Sequence, residues 1–435
     1  MSFRSALVLT LTAAALAAQS PAVFTLAGDW DVRVAAPGIE PQTVRVTPPV
    51  MLTVVAEKYD AVPVFNPKAG GWVKGAQLLG LKAQETTNAL LLDGPSLVLR
   101  AGFTPDSLTF QQGRDYDADL TWGTFGRLAE SRIQPSQPVY ASYRHAQVRL
   151  DAVVLTSAGK VELRQGTPRA AAPPLPAVNA GERHLGNIYL PGYIEKLTPD
   201  HLYPILESAY PETPAPTHPV IARIAKRLNE PKPFRILAWG DSVTDGAYLP
   251  NRPADRWQEQ FVARLRARFP NAQIELLTQA WGGRNTRSYL AEPPGSPHNY
   301  QETVLALKPD LIISEFVNDA SLTVPQVEER YAKLQTDFQS IGADWIILTP
   351  HYVRPDWMNL TRERDIDNDP RPYVEGLRQF AARHNVPLAD ASLRYGRLWR
   401  QGIPYNTLML NAINHPDARG MKLFADALMA LFPQR

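Results

Sequence analysis

The sequence contains no cysteine in its 435 residues. This absence excludes disulfide bonds, thiolate metal sites, a cysteine nucleophile and a lipid-modified N-terminal cysteine. An excess of one charge is also lacking, because 45 lysine and arginine residues balance 43 aspartate and glutamate residues to a formal net charge of +2. Such a chain has no electrostatic signature of nucleic-acid binding. The histidines show no close metal-ligand spacing, so the sequence predicts neither a metal nor another cofactor.

Long apolar runs are lacking beyond the first residues. Arg4 precedes an apolar run over 6–16, and the small residues of Ala15-Leu16-Ala17 follow at a plausible cleavage position. This pattern predicts a secretory signal peptide over 1–18, with a membrane anchor or a buried first helix as alternatives. The run is too short for a comfortable transmembrane helix. We therefore expect an exported protein, periplasmic or extracellular, without a membrane span.

Residues 22–165 carry many short, strand-like segments. Apolar and polar residues alternate over 30–34 and 43–46, as in half-buried strands. Turn-forming residues at 93–96 and 156–159 separate apolar segments and predict two hairpins. Many short strands divided by turns indicate an all-β sandwich, which we expect to be an accessory domain.

The rest of the chain divides at about residue 233. Residues 166–232 begin with a proline- and alanine-rich stretch and predict a stiff linker and bridging segment. Over 233–435 apolar strand-like runs alternate with helical patterns, which predicts α/β architecture: a three-layer, doubly wound, five-stranded parallel sheet. The predicted strands are 234–239, 273–278, 310–316, 344–349 and 386–389, and the predicted helices are 255–268, 324–341, 372–384 and 418–431.

The first of these strands ends in a short polar turn with one serine. Gly240 permits a sharp turn, Asp241 can accept hydrogen bonds from nearby backbone N–H groups, and Ser242 follows. A serine just beyond the carboxyl end of a parallel strand lies where open α/β sheets bind their ligands. This turn alone is also compatible with an ordinary strand-to-loop exit.

Three later loops carry the groups that a serine hydrolase needs, namely a base and oxyanion donors. The paired glycines of Gly282-Gly283-Arg284 can present backbone N–H groups, and Asn318, in Asn318-Asp319, can offer a side-chain N–H. His415 precedes the last predicted helix and can reach across the sheet edge.

Together these motifs resemble those of the SGNH hydrolases, the GDSL-type esterases and lipases, in the same order along the chain. The resemblance covers about 234–435, and the glycine block is similar to that of rhamnogalacturonan acetylesterase-like members. It implies an SGNH/flavodoxin-like fold. It also implies Ser242 as the nucleophile, His415 as the base, and the Ser242 N–H, the Gly283 N–H and the Asn318 side chain as the oxyanion hole.

Two positions depart from the family pattern. Phe316 replaces a glycine two residues before Asn318, where a bulky side chain could narrow the site or shift Asn318. Ala412 stands three residues before His415, where the family has the triad aspartate. We therefore expect a backbone carbonyl, or a carboxylate from another loop, to contact the second ring nitrogen of His415.

Other candidates for supporting or substrate-lining roles are Asp241, Arg284, Asp319 and His351. Arg284 could bind an acidic sugar or simply be solvated, and His351 could line the pocket or be structural. The resemblance and the expected export favour a secreted serine esterase acting on O-acetyl groups of a small-molecule or polysaccharide ester, through an acyl-serine. The alternatives are a lipase or lysophospholipase, an inactive carbohydrate-binding protein, and acyl transfer to a sugar.

Overall fold

The computed structural model describes residues 20–213 and 216–432. The predicted signal peptide lies outside the described residues. Antiparallel strands form the N-terminal half, and a parallel sheet flanked by helices forms the C-terminal half, as the sequence predicts. No helix in the described ranges combines the length and the apolar character needed to cross a bilayer.

The N-terminal half is built from short strands in facing antiparallel sheets. The sheet β1-β2-β3 shares one apolar core with the sheet β13-β12-β14-β15, and the sheet β4-β11-β8 shares a second core with the sheet β5-β10-β9. The strands are β1 (Val23–Leu26), β2 (Asp31–Ala35), β3 (Gln42–Arg45), β4 (Leu52–Tyr59), β5 (Ala76–Gln77), β6 (Lys82–Ala83), β7 (Thr86–Thr87), β8 (Leu92–Arg100), β9 (Tyr116–Asp119), β10 (Thr124–Arg127), β11 (Val139–His145), β12 (Arg149–Leu155), β13 (Val161–Arg164), β14 (Arg183–Leu190) and β15 (Leu202–Pro204).

One of the two predicted hairpins is confirmed and the other is wrong. β12 and β13 pair across the turn at 156–159. The turn-forming residues at 93–96 lie inside β8, which pairs along both ends with β11 across a register shift. The Ser96 hydroxyl donates to the Asp93 carbonyl at 2.6 Å and accepts from the Arg144 N–H at 2.7 Å. These bonds satisfy the backbone at the irregularity, so the chain bulges instead of reversing.

The segment predicted as a linker is more ordered than its composition indicates. β14 and β15, both within 166–232, extend the sheet of β12. Six consecutive residues of β14 are buried. A strand buried on both faces lacks the alternation that identifies half-buried strands in a sequence. The β half of the molecule therefore continues to about residue 204.

The C-terminal half contains a five-stranded, wholly parallel sheet in the order β17-β16-β18-β19-β20. This is the flavodoxin-like order, in which β17 is added on one side of β16 and the later strands are added on the other side. This switch of side lies at the carboxyl ends of β16 and β18. The strands are β16 (Pro233–Gly240), β17 (Gln273–Ala280), β18 (Leu311–Glu315), β19 (Asp344–Leu348) and β20 (Leu388–Ala389).

Helices cover both faces of this sheet, which confirms the three-layer prediction. α1, α4, α8 and α9 pack in one apolar core, and α5, α6 and α7 pack in the other. The helices are α1 (Pro219–Leu228), α2 (Ser242–Asp245), α3 (Arg252–Asp255), α4 (Trp257–Arg268), α5 (Thr286–Ala291), α6 (Val324–Ser340), α7 (Pro372–His384), α8 (Ala391–Gly396) and α9 (Ala418–Ala430).

Candidate active site

The serine turn is tightly packed around Gly240, the last residue of β16. A Cβ at this position would lie 2.1 Å from the Thr244 hydroxyl oxygen and 2.4 Å from the Glu315 carbonyl oxygen, so no side chain fits. Asp241 caps α2 by accepting the Val243 N–H at 3.0 Å. Ser242 is thereby held as the first residue of α2, partly exposed at the switch of the sheet.

His415 lies beside Ser242 although 173 residues separate them in the chain. Its Nε2 atom is 3.3 Å from the Ser242 hydroxyl oxygen, within the loose range seen for catalytic pairs without substrate. The Tyr248 ring stacks on the imidazole at a centroid distance of 4.1 Å and an interplanar angle of 3°. Burial lowers the pKa of His415 below its usual value, with Glu85 opposing the shift. The neutral imidazole can therefore accept a proton at neutral pH.

Asn411 organises the loop that carries His415. Its side-chain oxygen accepts the backbone N–H groups of Ile413, Asn414 and His415 at 3.0, 2.9 and 3.0 Å. Ala412 lies between them in the left-handed region, with φ of 57°. Its methyl group cannot accept a hydrogen bond from an imidazole, so the residue at the family's usual aspartate position does not orient His415.

The acidic group beside His415 comes from the other half of the chain. His415 Nδ1 lies 3.2 Å from a carboxylate oxygen of Glu85, in the two-residue turn between β6 and β7. This contact is not aligned for a hydrogen bond with the ring N–H. The expectation that a carboxylate from another loop contacts Nδ1 is confirmed. Sequence reasoning missed Glu85 itself, because no local pattern marks this turn as part of a site.

Asn318 follows β18 and faces the serine turn from the other side of the switch. Its backbone N–H and its side-chain amide both donate to the same Asp241 oxygen, at 2.9 and 3.0 Å. Burial raises the pKa of Asp241 to about 7, and the donors from Asn318 and Val243 oppose the shift. The Asn318 amide nitrogen carries two hydrogens, so it retains one donor for a ligand.

Phe316 does not narrow the site, contrary to one of the two possibilities considered for it. Its side chain is buried and packs edge-to-face on Trp239 at 4.8 Å, with Tyr289 at 6.0 Å. The ring therefore fills the core beside the sheet and leaves Asn318 on the serine side.

The glycine loop borders Ser242 on its other flank. A Cβ at Gly282 would lie 3.8 Å from Cβ of Ser242 in ordinary contact, and the Trp281 N–H donates to the Gly240 carbonyl at 3.1 Å. Gly283 has φ of 73°, a conformation that favours glycine. The loop thus runs past the serine with its backbone exposed.

The supporting candidates fall in different places. Asp319 is buried and accepts the Thr286 hydroxyl at 2.8 Å, which ties the glycine-loop helix to the Asn318 turn; burial raises its pKa to about 6. Arg284 is exposed and lies over the Trp281 ring at 5.1 Å. His351 is fully buried, and burial holds its pKa well below the usual range. His351 is therefore a core residue and does not line an open pocket.

Comparison with known proteins identifies the C-terminal half. Residues 238–423 match the GDSL-like Lipase/Acylhydrolase family, a range that includes Ser242, Gly283, Asn318 and His415. This half of the chain is a GDSL-like lipase/acylhydrolase domain. The protein is accordingly a carboxylic ester hydrolase. The similarity of the glycine block to the rhamnogalacturonan acetylesterase branch stays a prediction.

Solved structures similar to the chain include a hydrolase and two esterases. One is an alpha/beta hydrolase enzyme from the metagenome of Lake Arreo, Spain, with 23% identity over 46% of this chain and 94% of that one and a TM-score of 0.37. Another is an acetyl-xylooligosaccharide esterase from Geobacillus Stearmophilus, with 19% identity over 46% and 94% and a TM-score of 0.37. A two-domain esterase active on acetylated mannans shares 17% identity over 48% of this chain and 52% of that one, with a TM-score of 0.38. No curated protein matches the sequence.

Proposed function

We propose that the protein is an exported serine esterase that removes O-acetyl groups from carbohydrate through an acyl-serine. The observation that carries the esterase mechanism is the 3.3 Å contact between Ser242 Oγ and His415 Nε2. Export rests on the signal-peptide pattern of residues 1–18.

In the proposed reaction, His415 Nε2 accepts the Ser242 hydroxyl proton as Oγ attacks the ester carbonyl. The N–H groups of Ser242 and Gly283 and the second amide hydrogen of Asn318 stabilise the oxyanion. His415 then donates its proton to the leaving alkoxide, which departs as the sugar hydroxyl. Water attacks the acyl-serine with His415 again as base, releasing acetate and restoring the serine.

A cluster of indole rings beside the site supports a carbohydrate substrate. Trp72 contacts Trp122 and Trp357 at centroid distances of 5.2 and 5.4 Å, and Trp357 is 47% exposed. The Gln77 amide donates to the Trp72 carbonyl at 3.0 Å and to the Glu85 carbonyl at 2.9 Å, so the backbone of Trp72 lies close to the turn that carries Glu85. An exposed indole offers a flat apolar face with a polar edge, which suits the apolar face of a sugar ring.

The first experiment treats the mature protein and its Ser242→Ala variant with a fluorophosphonate, which traps activated serines. We expect one adduct on Ser242 in the parent and none in the variant. A folded parent that forms no adduct and hydrolyses no ester, but still binds glycan, would establish the carbohydrate-binding alternative instead.

Substrate class is tested by comparing turnover of acetylated oligosaccharides with that of long-chain esters. We expect a preference for the acetyl ester. A clear preference for long acyl chains would replace the acetylesterase proposal with the lipase alternative.

A further inference from the structure

We propose that Glu85 is the positioning carboxylate for His415, so that the β6–β7 hairpin of the N-terminal half completes the catalytic site of the GDSL-like domain. This inference rests on the proposed esterase function. It assigns the β half a role in the reaction itself, beyond that of an accessory module.

The hairpin is attached to the catalytic loops by three successive residues. The Gln84 amide donates to the Tyr248 carbonyl at 2.9 Å, Glu85 accepts the Asn411 amide at 2.8 Å, and the Thr86 hydroxyl donates to the Asn411 carbonyl at 2.7 Å. Thr86 is 1% exposed, so its bond is shielded from water. These contacts attach the turn both to Tyr248, which stacks on the His415 ring, and to Asn411 in the loop that carries His415.

Glu85 and Tyr248, which the hairpin contacts, lie against different parts of the imidazole. Glu85 lies at the Nδ1 edge, while the stacked Tyr248 covers one ring face. Rotation of the ring about its χ2 axis would break the stacking and move Nε2 away from Ser242. The hairpin therefore restricts the histidine to the orientation in which Nε2 faces the nucleophile.

The acidic and polar groups near His415 in sequence are engaged elsewhere. Asp417 caps α9 through the Arg419 and Gly420 N–H groups and pairs with the Arg419 guanidinium. Asn414 accepts the Asn411 amide at 3.1 Å. Within the described residues, Glu85 is the carboxylate that lies within 4.0 Å of Nδ1, at 3.2 Å.

The chemical consequence concerns the charge that develops during acyl transfer. When Nε2 takes the serine proton, the ring becomes an imidazolium, and an ionised carboxylate at Nδ1 stabilises it without itself taking the proton. The present contact, at 3.2 Å, is not aligned with the ring N–H. Catalytic hydrogen bonds are often poorly aligned without substrate and tighten in the reacting complex.

The test compares full-length parent, Glu85→Gln and the matched control Glu130→Gln, an exposed carboxylate in the same half of the chain. Gln keeps the shape and the acceptor for Asn411 but removes the charge. Hydrolysis of p-nitrophenyl acetate is measured from about pH 5 to about pH 9, across the histidine titration. We expect Glu85→Gln to lose about 10–100-fold in kcat, less than the roughly 10⁴-fold for a buried triad acid, because Glu85 is half exposed.

The pH profile separates positioning from a structural role. The titratable groups that face the ring are Glu85, Tyr248 and the neutral His351. Loss of the negative charge destabilises the imidazolium, so the acid limb of kcat/KM should move to lower pH in Glu85→Gln and stay in place in Glu130→Gln. If the acid limb of kcat/KM in Glu85→Gln stayed in place and its kcat were within about twofold of the parent, the inference would be overturned.

A second measurement remains informative if Glu85→Gln folds poorly. Glu85→Ala opens a half-exposed space at Nδ1, so added formate should restore part of its rate without accelerating the parent. Absence of rescue in a folded variant that has also lost little activity would count against the inference. A parent and control that neither hydrolyse esters nor form the fluorophosphonate adduct would instead remove the proposed function itself.

Discussion

The carboxylate of Asp241 should control the rate through Asn318, and Asp241→Asn tests this coupling. One Asp241 oxygen accepts both Asn318 donors, and the other accepts the Val243 N–H. An asparagine at this position would point its own NH2 group at an N–H donor in either orientation of the amide, either at those of Asn318 or at that of Val243. If it faces Asn318, two hydrogen bonds to an anionic acceptor are lost, each contributing about 1.5–3 kcal/mol.

The expected kinetic effect follows from the role of Asn318. An amide that no longer faces the reacting carbonyl removes one oxyanion donor, which costs about 10²–10³-fold in kcat, or about 2.7–4 kcal/mol. KM should stay nearly constant, because the oxyanion exists only in the transition state. Stability should change less than activity, since the variant no longer buries a carboxyl whose pKa burial raises.

The assay is hydrolysis of p-nitrophenyl acetate together with the rate of fluorophosphonate labelling of Ser242. The matched control is Asp245→Asn in the same short helix, where the carboxylate pairs with Arg252 and is partly exposed. We expect the control to stay within about threefold of the parent. An Asp241→Asn enzyme equally close to the parent in kcat would refute the assigned coupling between Asp241 and the oxyanion donor.

Four further results are expected. Gly240→Ala should lower the free energy of unfolding by about 3 kcal/mol or more, measured by denaturant unfolding, because its Cβ would lie 2.1 Å from the Thr244 hydroxyl oxygen. Parent activity should fall as acid protonates His415, and a pH titration of the activity should give a midpoint below the usual histidine pKa of 6.5. Burial raises the pKa of Glu315 well above 4.5, so parent stability should decline as pH rises above that value, and Glu315→Gln should flatten the decline in chemical unfolding. Trp357→Ala should raise KM for acetylated oligosaccharides by about tenfold, roughly the loss of one ring contact, and leave p-nitrophenyl acetate unaffected in parallel assays.

The strands and helices of the C-terminal half were predictable because their patterns are local. The apolar runs at 234–239 and 344–349 are buried parallel strands, and the helical spacing over 324–341 corresponds to α6. The N-terminal half was harder. The turn-forming residues at 93–96 became a bulge because pairing with β11 outweighed their turn preference, and β14 has no alternation to reveal it.

The candidate site was predictable where a residue's place follows from strand order. Ser242 and Asn318 each follow a predicted parallel strand and His415 precedes the last predicted helix, and the family resemblance implied that they share one site. The structure shows that the two strands are neighbours in the sheet. The position of Phe316 was open, because only the packed core shows that its ring turns toward Trp239.

The sequence by itself determined the parallel sheet, the serine turn and the absence of an acidic residue at Ala412, since each depends on residues close together in the chain. The tertiary structure decided what replaces that acid. Glu85 is separated from His415 by most of the chain and lies in a turn of ordinary composition, so only the docking of the β6–β7 hairpin brings its carboxylate to 3.2 Å from Nδ1. A contact between two independently patterned halves leaves no periodicity or spacing in either of them.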